Sequence, residues 1–249
     1  MRNLKRKPMV AAAIALVASG AAFGQNTGPK ASVPDLSGFW ERKDDLGSGS
    51  FGGTLERIPK ASLKPEIMAA NREAAARQAR GEVVSTGSKW CLTNPYPFFM
   101  QHSAAWDIVQ TDSEIVQVPE VHTFPRHIYL DGRQHPDPAH LEPSVNGHAV
   151  GHWEGDRLVV DSIGFSGGAG TPGGGRVGPK THLVERFRLL DGGKILSVTF
   201  TWEDPAIYLK AHTYELTYHK SEPGTYAFEE YCHADDPVQG GSVVEPQQK

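Results

Sequence analysis

The side chains best suited to chemistry cluster in the middle of the chain: His148, His152 and Asp161, with Tyr129 before them and Glu185 after them. Imidazoles and carboxylates within hydrogen-bond reach of one another are parts of general acid–base catalysis, in which an oriented ring takes or gives a proton. Spacing restricts what they do together. On an extended strand His148 and His152 lie ~13 Å apart and share no ligand atom unless the chain bends at Gly151, whereas His152 and Glu154 are ~6.6 Å apart. Asp161 becomes a diagonal neighbour of His152 if the two segments pair, and a His–Asp pair orients an imidazole as a base. The alternative is that both histidines are exposed strand residues and Asp161 ends the ladder.

The element that must position them is a β-hairpin. Gly155-Asp156 separates two alternating runs, a turn signal between antiparallel strands. A two-residue turn pairs Glu154 with Arg157, Trp153 with Leu158, His152 with Val159, Gly151 with Val160 and Val150 with Asp161. One face then carries Ala149, Trp153, Leu158, Val160 and Ser162, an ordinary core face. The other carries His148, Val150, His152, Glu154, Arg157, Val159, Asp161 and Ile163. In a closed barrel this mixed face is expected to line a cavity; on an open sheet it is solvated.

Further candidates lie on neighbouring strands. His127, Tyr129 and Asp131 share one face and Arg126, Ile128 and Leu130 the other, with Arg133 and His135 following in a loop. Tyr129 adds a proton-transfer group, and Arg126 or Arg133 could clamp a carboxylate, the alternative being that these charges only bridge neighbouring strands. Glu185 falls on the apolar face of its strand with Leu183, Phe187 and Leu189, so it must be paired, by an arginine such as Arg126, or have its pKa raised. Phe98 and Phe99, in a Pro-interrupted aromatic loop with Tyr96, read as a cover over an apolar surface, the alternative being ordinary packing of the loop on the core, and with Trp153 they complete the expected substrate-binding set. There is no Gly-x-Ser-x-Gly elbow, no phosphate loop among the glycines of 167–175, and no His-x-His or His-Glu-x-x-His spacing. The site is therefore expected to use neither metal nor organic cofactor.

Composition sets the frame. With 249 residues, 39% hydrophobic content and a net charge of −4 of mixed sign, the chain reads as one globular domain and not as a nucleic-acid-binding protein. Its 27 glycines and 18 prolines punctuate many short elements, as in an all-β domain. Arg2, Lys5, Arg6 and Lys7 precede an apolar run of ~14 residues, shorter than the ~20 of a membrane span, and Ala22-Phe23-Gly24 offers a cleavage site. The expected product is exported, periplasmic in a Gram-negative host, and without stable membrane insertion once the signal is removed. In that oxidising setting Cys91 and Cys232 suggest one disulfide, the alternative being two free thiols.

The segments divide into a signal peptide (1–24), a flexible lead-in (25–34), one domain (35–236) and a disordered tail (237–249). Within the domain, a helix is expected at 63–81, packing by Ile67, Met68 and Ala75. Strands follow at 106–110, 114–119, 126–131, the central hairpin, 182–190, 194–202, 212–219 and 226–232. Short turns between successive strands imply an antiparallel up-and-down barrel of the calycin or lipocalin type with one accessory helix; a β-sandwich is the alternative.

Three stretches carry a family resemblance: Asp35-Leu36-Ser37-Gly38-Phe39-Trp40; Arg126-His127-Ile128-Tyr129-Leu130-Asp131-Gly132-Arg133-Gln134-His135-Pro136; and the central run from Gly147 through His148, Gly151-His152-Trp153-Glu154-Gly155-Asp156 and Leu158-Val159-Val160-Asp161. Glu185-Arg186-Phe187-Arg188, Glu203-Asp204-Pro205 and Glu230-Tyr231-Cys232 add to it. In these the chain resembles a broad group of exported, mostly uncharacterised bacterial proteins, which implies one intact domain and no particular reaction. The likeness to lipocalins is one of architecture. The functional expectation is an exported lyase, isomerase or hydrolase working by acid–base chemistry on a small apolar or aromatic molecule in a barrel cavity. The alternatives are a periplasmic carrier of such a ligand without catalysis, and an envelope protein whose barrel is filled.

Overall fold

The computed structural model describes residues 33–42, 58–82, 96–101, 105–120, 124–168 and 170–226. They form a closed all-β barrel of nine strands: β1 (Gly38–Glu41), β2 (Trp106–Gln110), β3 (Glu114–Pro119), β4 (Arg126–Tyr129), β5 (His148–Glu154), β6 (Arg157–Ile163), β9 (His182–Leu190), β10 (Ile195–Glu203) and β11 (His212–Lys220). The short strands β7 (Gly170–Thr171) and β8 (Gly175–Arg176) form a separate ribbon. Neighbours in the barrel follow chain order, and β1 closes it by pairing with both β2 and β11.

The central hairpin has the register that a two-residue turn at Gly155-Asp156 dictates, from His148↔Ile163 to Glu154↔Arg157. Gly155 adopts φ +63°, a left-handed conformation that costs glycine nothing. The β2–β3 and β9–β10 hairpins also form where turn signals separate alternating runs. One pairing departs from the expected meander. β4 and β5 run parallel, with Ile128↔Ala149 and Tyr129↔Val150. A parallel pair cannot be joined by a tight turn, so residues 130–147 cross back along the barrel. The 226–232 partner expected for β11 lies outside the described residues except for Tyr226, which is exposed. Residues 1–32, Cys91 and Cys232 also lie outside them.

Helix α1 (Pro65–Ala79) starts at its proline, whose missing N–H costs nothing at that position. It ends at Gly81, φ +74°, where the Glu82 N–H reaches back to the Arg77 carbonyl. Its docking face differs from the expectation. Ile67, Asn71 and Ala74 are half-buried, at i, i+4 and i+7, whereas Met68 and Ala75 are exposed. The Ala-rich sequence marks no stripe; Asn71 fixes the face by accepting from Arg176 and donating to the Gly174 carbonyl.

The interior is packed with large side chains, among them Trp40, Trp106, Trp202, Phe187, Phe200 and Tyr218, all buried. Gly151 leaves room for Leu130, Ile128 and Leu158, whose methyls lie 2.9, 3.0 and 3.3 Å from where a Cβ would stand. Of the two readings of the aromatic segment, packing on the core is the one observed: Tyr96, Phe99 and Met100 are buried, and the Tyr218 hydroxyl donates to the Met100 carbonyl at 2.7 Å. Beside the β10–β11 turn, Tyr208 OH accepts from the Arg176 N–H and donates to the Arg176 carbonyl, while His212 Nε2 donates to the Pro172 carbonyl.

Candidate active site

Pleat parity divides the candidates between two environments. Ala149, Leu158, Val160 and Ser162 point inward and are buried, so their alternates His148, His152 and Asp161 point outward. Tyr129, alternate to the buried Arg126 and Ile128, does the same. The expectation that these four line a cavity is corrected for that reason: closing the barrel commits the apolar face to the inside and leaves the mixed face outside.

Inside, Arg126 supplies the partner that Glu185 needs. Nη1 donates to Glu185 Oε1 at 3.2 Å and to Gln117 Oε1 at 3.0 Å, and Nη2 donates to Ser162 Oγ at 2.9 Å and to Glu185 Oε2. The Tyr96 hydroxyl donates to Glu185 Oε1, and its ring lies under the guanidinium, 3.9 Å from centroid to Cζ. Burial works against the Arg126 charge, but Glu185 and Tyr96 outweigh it and hold its pKa up; burial likewise drives the Tyr96 pKa well above the ordinary tyrosine value. Arg126 and Glu185 are 1% and 0% exposed, so with Gln117 and Ser162 they brace four strands and touch no solvent.

Outside, the crossover delivers a group absent from the expected set. His135 Nε2 lies 2.9 Å from Asp161 Oδ1, and His135 Nδ1 lies 2.8 Å from His148 Nδ1. From the other side His182, on β9, places Nε2 at 2.7 Å from Asp161 Oδ2, with Glu203 at 3.7 Å from its Nδ1. A carboxylate only accepts hydrogen bonds, so both Nε2 atoms carry hydrogens. When only Nε2 of His135 is protonated, its Nδ1 accepts from His148 Nδ1–H, which leaves the His148 Nε2 lone pair for an incoming proton. Burial, reinforced by the Arg133 charge, lowers the His148 pKa and favours this neutral ring.

The remaining candidates flank this relay or lie away from it. The Tyr129 ring is 5.5 Å from that of His148, with the Arg133 guanidinium 3.8 Å from its centroid on an arm held by Asp131. His152 pairs with Glu154 at 3.1 Å, both well exposed, and not with Asp161. Asp161 is the Cα partner of Val150, so His148 and His152 are equivalent diagonals by register, and the crossover settles the choice by bringing His135 to the His148 side. Trp153 packs partly into the core, Phe99 stacks edge-on against Tyr96 and Trp106, and the Phe98 side chain is not among those described. His182 was detectable only given the β6–β9 pairing, in which Asp161 opposes Val184. No group of three metal-ligating residues converges among the described residues. A groove of about 1230 Å³, lined by Asp35, Phe39, Lys194, Lys220 and Tyr226 among others, holds none of the relay.

Two lowered histidines give the fold a pH dependence. His148 and His212 both ionise below the ordinary value of 6.5, His212 because burial outweighs its bond to the Pro172 carbonyl. Protonation therefore favours the unfolded chain. Their contribution is whole above pH 6.5 and is lost as pH falls through the two folded-state values. Urea midpoints should drop between about pH 7.5 and about pH 5, and less steeply in His212→Gln, whose amide can keep the Pro172 bond.

Fold and site together define a closed all-β barrel with a hydrogen-bonded His148–His135–Asp161–His182 chain on its outer wall. In comparison with known proteins, no family model matches the chain and no curated protein is significantly similar to it.

Proposed function

We propose that this is an exported enzyme that moves a proton on a small apolar or aromatic molecule, with His148 as base, His135 and Asp161 orienting it, and Tyr129 as a wall beside the ring. One observation carries the reading: the unbroken line from His148 Nδ1 to His135 Nδ1 at 2.8 Å and from His135 Nε2 to Asp161 at 2.9 Å. An isolated surface histidine has two equivalent nitrogens; this one has a single free nitrogen with a fixed direction. The positive charge gained on proton abstraction is shared with His135 and meets the carboxylate beyond it. The reaction class is a lyase, isomerase or hydrolase step without an organic cofactor. Export is supported by the basic and apolar N-terminal segment and by the resemblance to exported proteins. Among the described residues no helix is long and apolar enough to cross a membrane.

Carriage of an apolar ligand without chemistry is the second reading, favoured by the groove beside Phe39 and Tyr226. A metabolite panel weighted to aromatic and terpenoid compounds, followed by mass spectrometry with wild type and His148→Gln in parallel, separates the two. The enzyme reading expects a product formed by wild type alone. Equal conversion by both proteins, or binding of unchanged compounds at the groove with no product from any of them, contradicts it.

A further inference from the structure

Beside the relay, the outer faces of β6 and β9 carry a feature that the proton-transfer groups do not use. Register sets their side chains in rows. Asp161 opposes Val150 and Val184; the next row holds His152, Val159 and Arg186; the row beyond holds Glu154, Arg157 and Arg188. Val159 points outward yet is only 6% exposed, and Val150 and Val184 are half-buried. Val159 lies next to Arg186 and diagonal to Val150 and Val184, which flank Asp161, so the valines form apolar patches between the Asp161 row and Arg186.

The cations beyond those patches are incompletely matched. Arg188 is taken by Asp156 at 3.0 Å. Arg186 and Arg157 are exposed and make no ion pair or hydrogen bond among the described residues. The partner of Arg186 across β10 is Thr199, which brings no charge, and Arg157 sits directly opposite Arg188. Like charges facing each other across a ladder cost stability. Asp156 offsets Arg188 and Glu154 stands opposite Arg157, which leaves Arg186 as the cation with no acid in its row. An anion shared by Arg186 and its diagonal neighbour Arg157 offsets that excess. A guanidinium also offers a planar fork that fits a carboxylate.

We infer that the molecule taken by this face is a small organic anion with an apolar body, its carboxylate or comparable group on Arg186 and Arg157, its body over Val159, Val184 and Val150, and its far end at His148. Only the role of the far end rests on the acid–base reading. The spacing is compatible. His148 lies ~13 Å along and ~10 Å across from Arg186, and the arginine side chain spans part of that, which leaves room for a molecule roughly ten ångströms long.

The test titrates 4-phenylbutyrate and its neutral counterpart 4-phenylbutanol into the full chain and into an R157Q/R186Q variant, followed by NMR of ligand and imidazole signals. The carboxylate should bind saturably and at least about tenfold tighter than the alcohol, and the variant should lose that margin while its affinity for the alcohol stays the same. Equal affinity for the two probes, or a carboxylate affinity unchanged in the variant, overturns the anion site. The His148 ring distinguishes this from failure of the relay. Arginine-dependent binding that leaves its signals unmoved upholds the anion site and counts against the acid–base role. Binding that moves them in the variant as in wild type removes the anion site and leaves the relay intact.

Discussion

Glu185→Ala lowers the unfolding free energy by about 3–5 kcal/mol, the range for removing one partner of a buried ion pair and leaving the other charge uncompensated. Arg126 would keep Gln117 and Ser162 but lose both carboxylate contacts, and Tyr96 would lose its acceptor. The effect should exceed that of any surface pair. Arg77–Glu82 and Arg80–Glu82 stand in solvent, which screens them, so they add little. A double variant, Arg126→Met with Glu185→Leu, removes both charges and should recover most of the loss, because a packed apolar replacement of a buried pair is often neutral. Urea denaturation of the three proteins decides the matter. A loss under about 1 kcal/mol in the single variant would show that the pair is not desolvated as the structure has it.

His148→Gln should reduce turnover of the compound found in the panel by about 10²–10⁴-fold, the usual contribution of a positioned general base. Asp161→Asn acts one step removed. An amide can still bond to either ring, but it can donate where the carboxylate only accepts. The Nε2–H arrangement of His135 is then no longer enforced, and the orientation of His148 loosens. Its loss should be smaller than that of His148→Gln and accompanied by a displaced pH–rate profile, which a merely structural effect would not produce. Equal activity of Asp161→Asn and wild type across pH would remove Asp161 from the relay.

How much of this was legible in the sequence follows from what is local and what is not. The Gly155-Asp156 turn and the alternation beside it set the β5–β6 register residue by residue, because a hairpin is decided within its own residues. The need of Glu185 for an arginine was legible too, since a carboxylate among Leu183, Phe187 and Leu189 has few ways to be buried. Two features of the relay had no local signal. His182 meets Asp161 only because β9 pairs with β6 after an intervening ribbon. His135 arrives only because β4 and β5 are parallel, and a Pro-rich loop sequence does not state which strand follows in which direction. The same gap explains the face assignment. The mixed character of the hairpin is plain in its residues, but inward and outward are properties of the closed barrel and not of the hairpin.

The central claim is that His148 is a neutral ring with one free nitrogen, aligned through His135 to Asp161. Nitrogen-15 NMR of the imidazole rings across pH tests it most directly. Expected are the Nε2–H form for His135, the Nδ1–H form for His148, and a His148 titration below the ordinary histidine value of 6.5. Rings that average freely between tautomers, with His148 titrating as an unrestrained surface histidine, would contradict it.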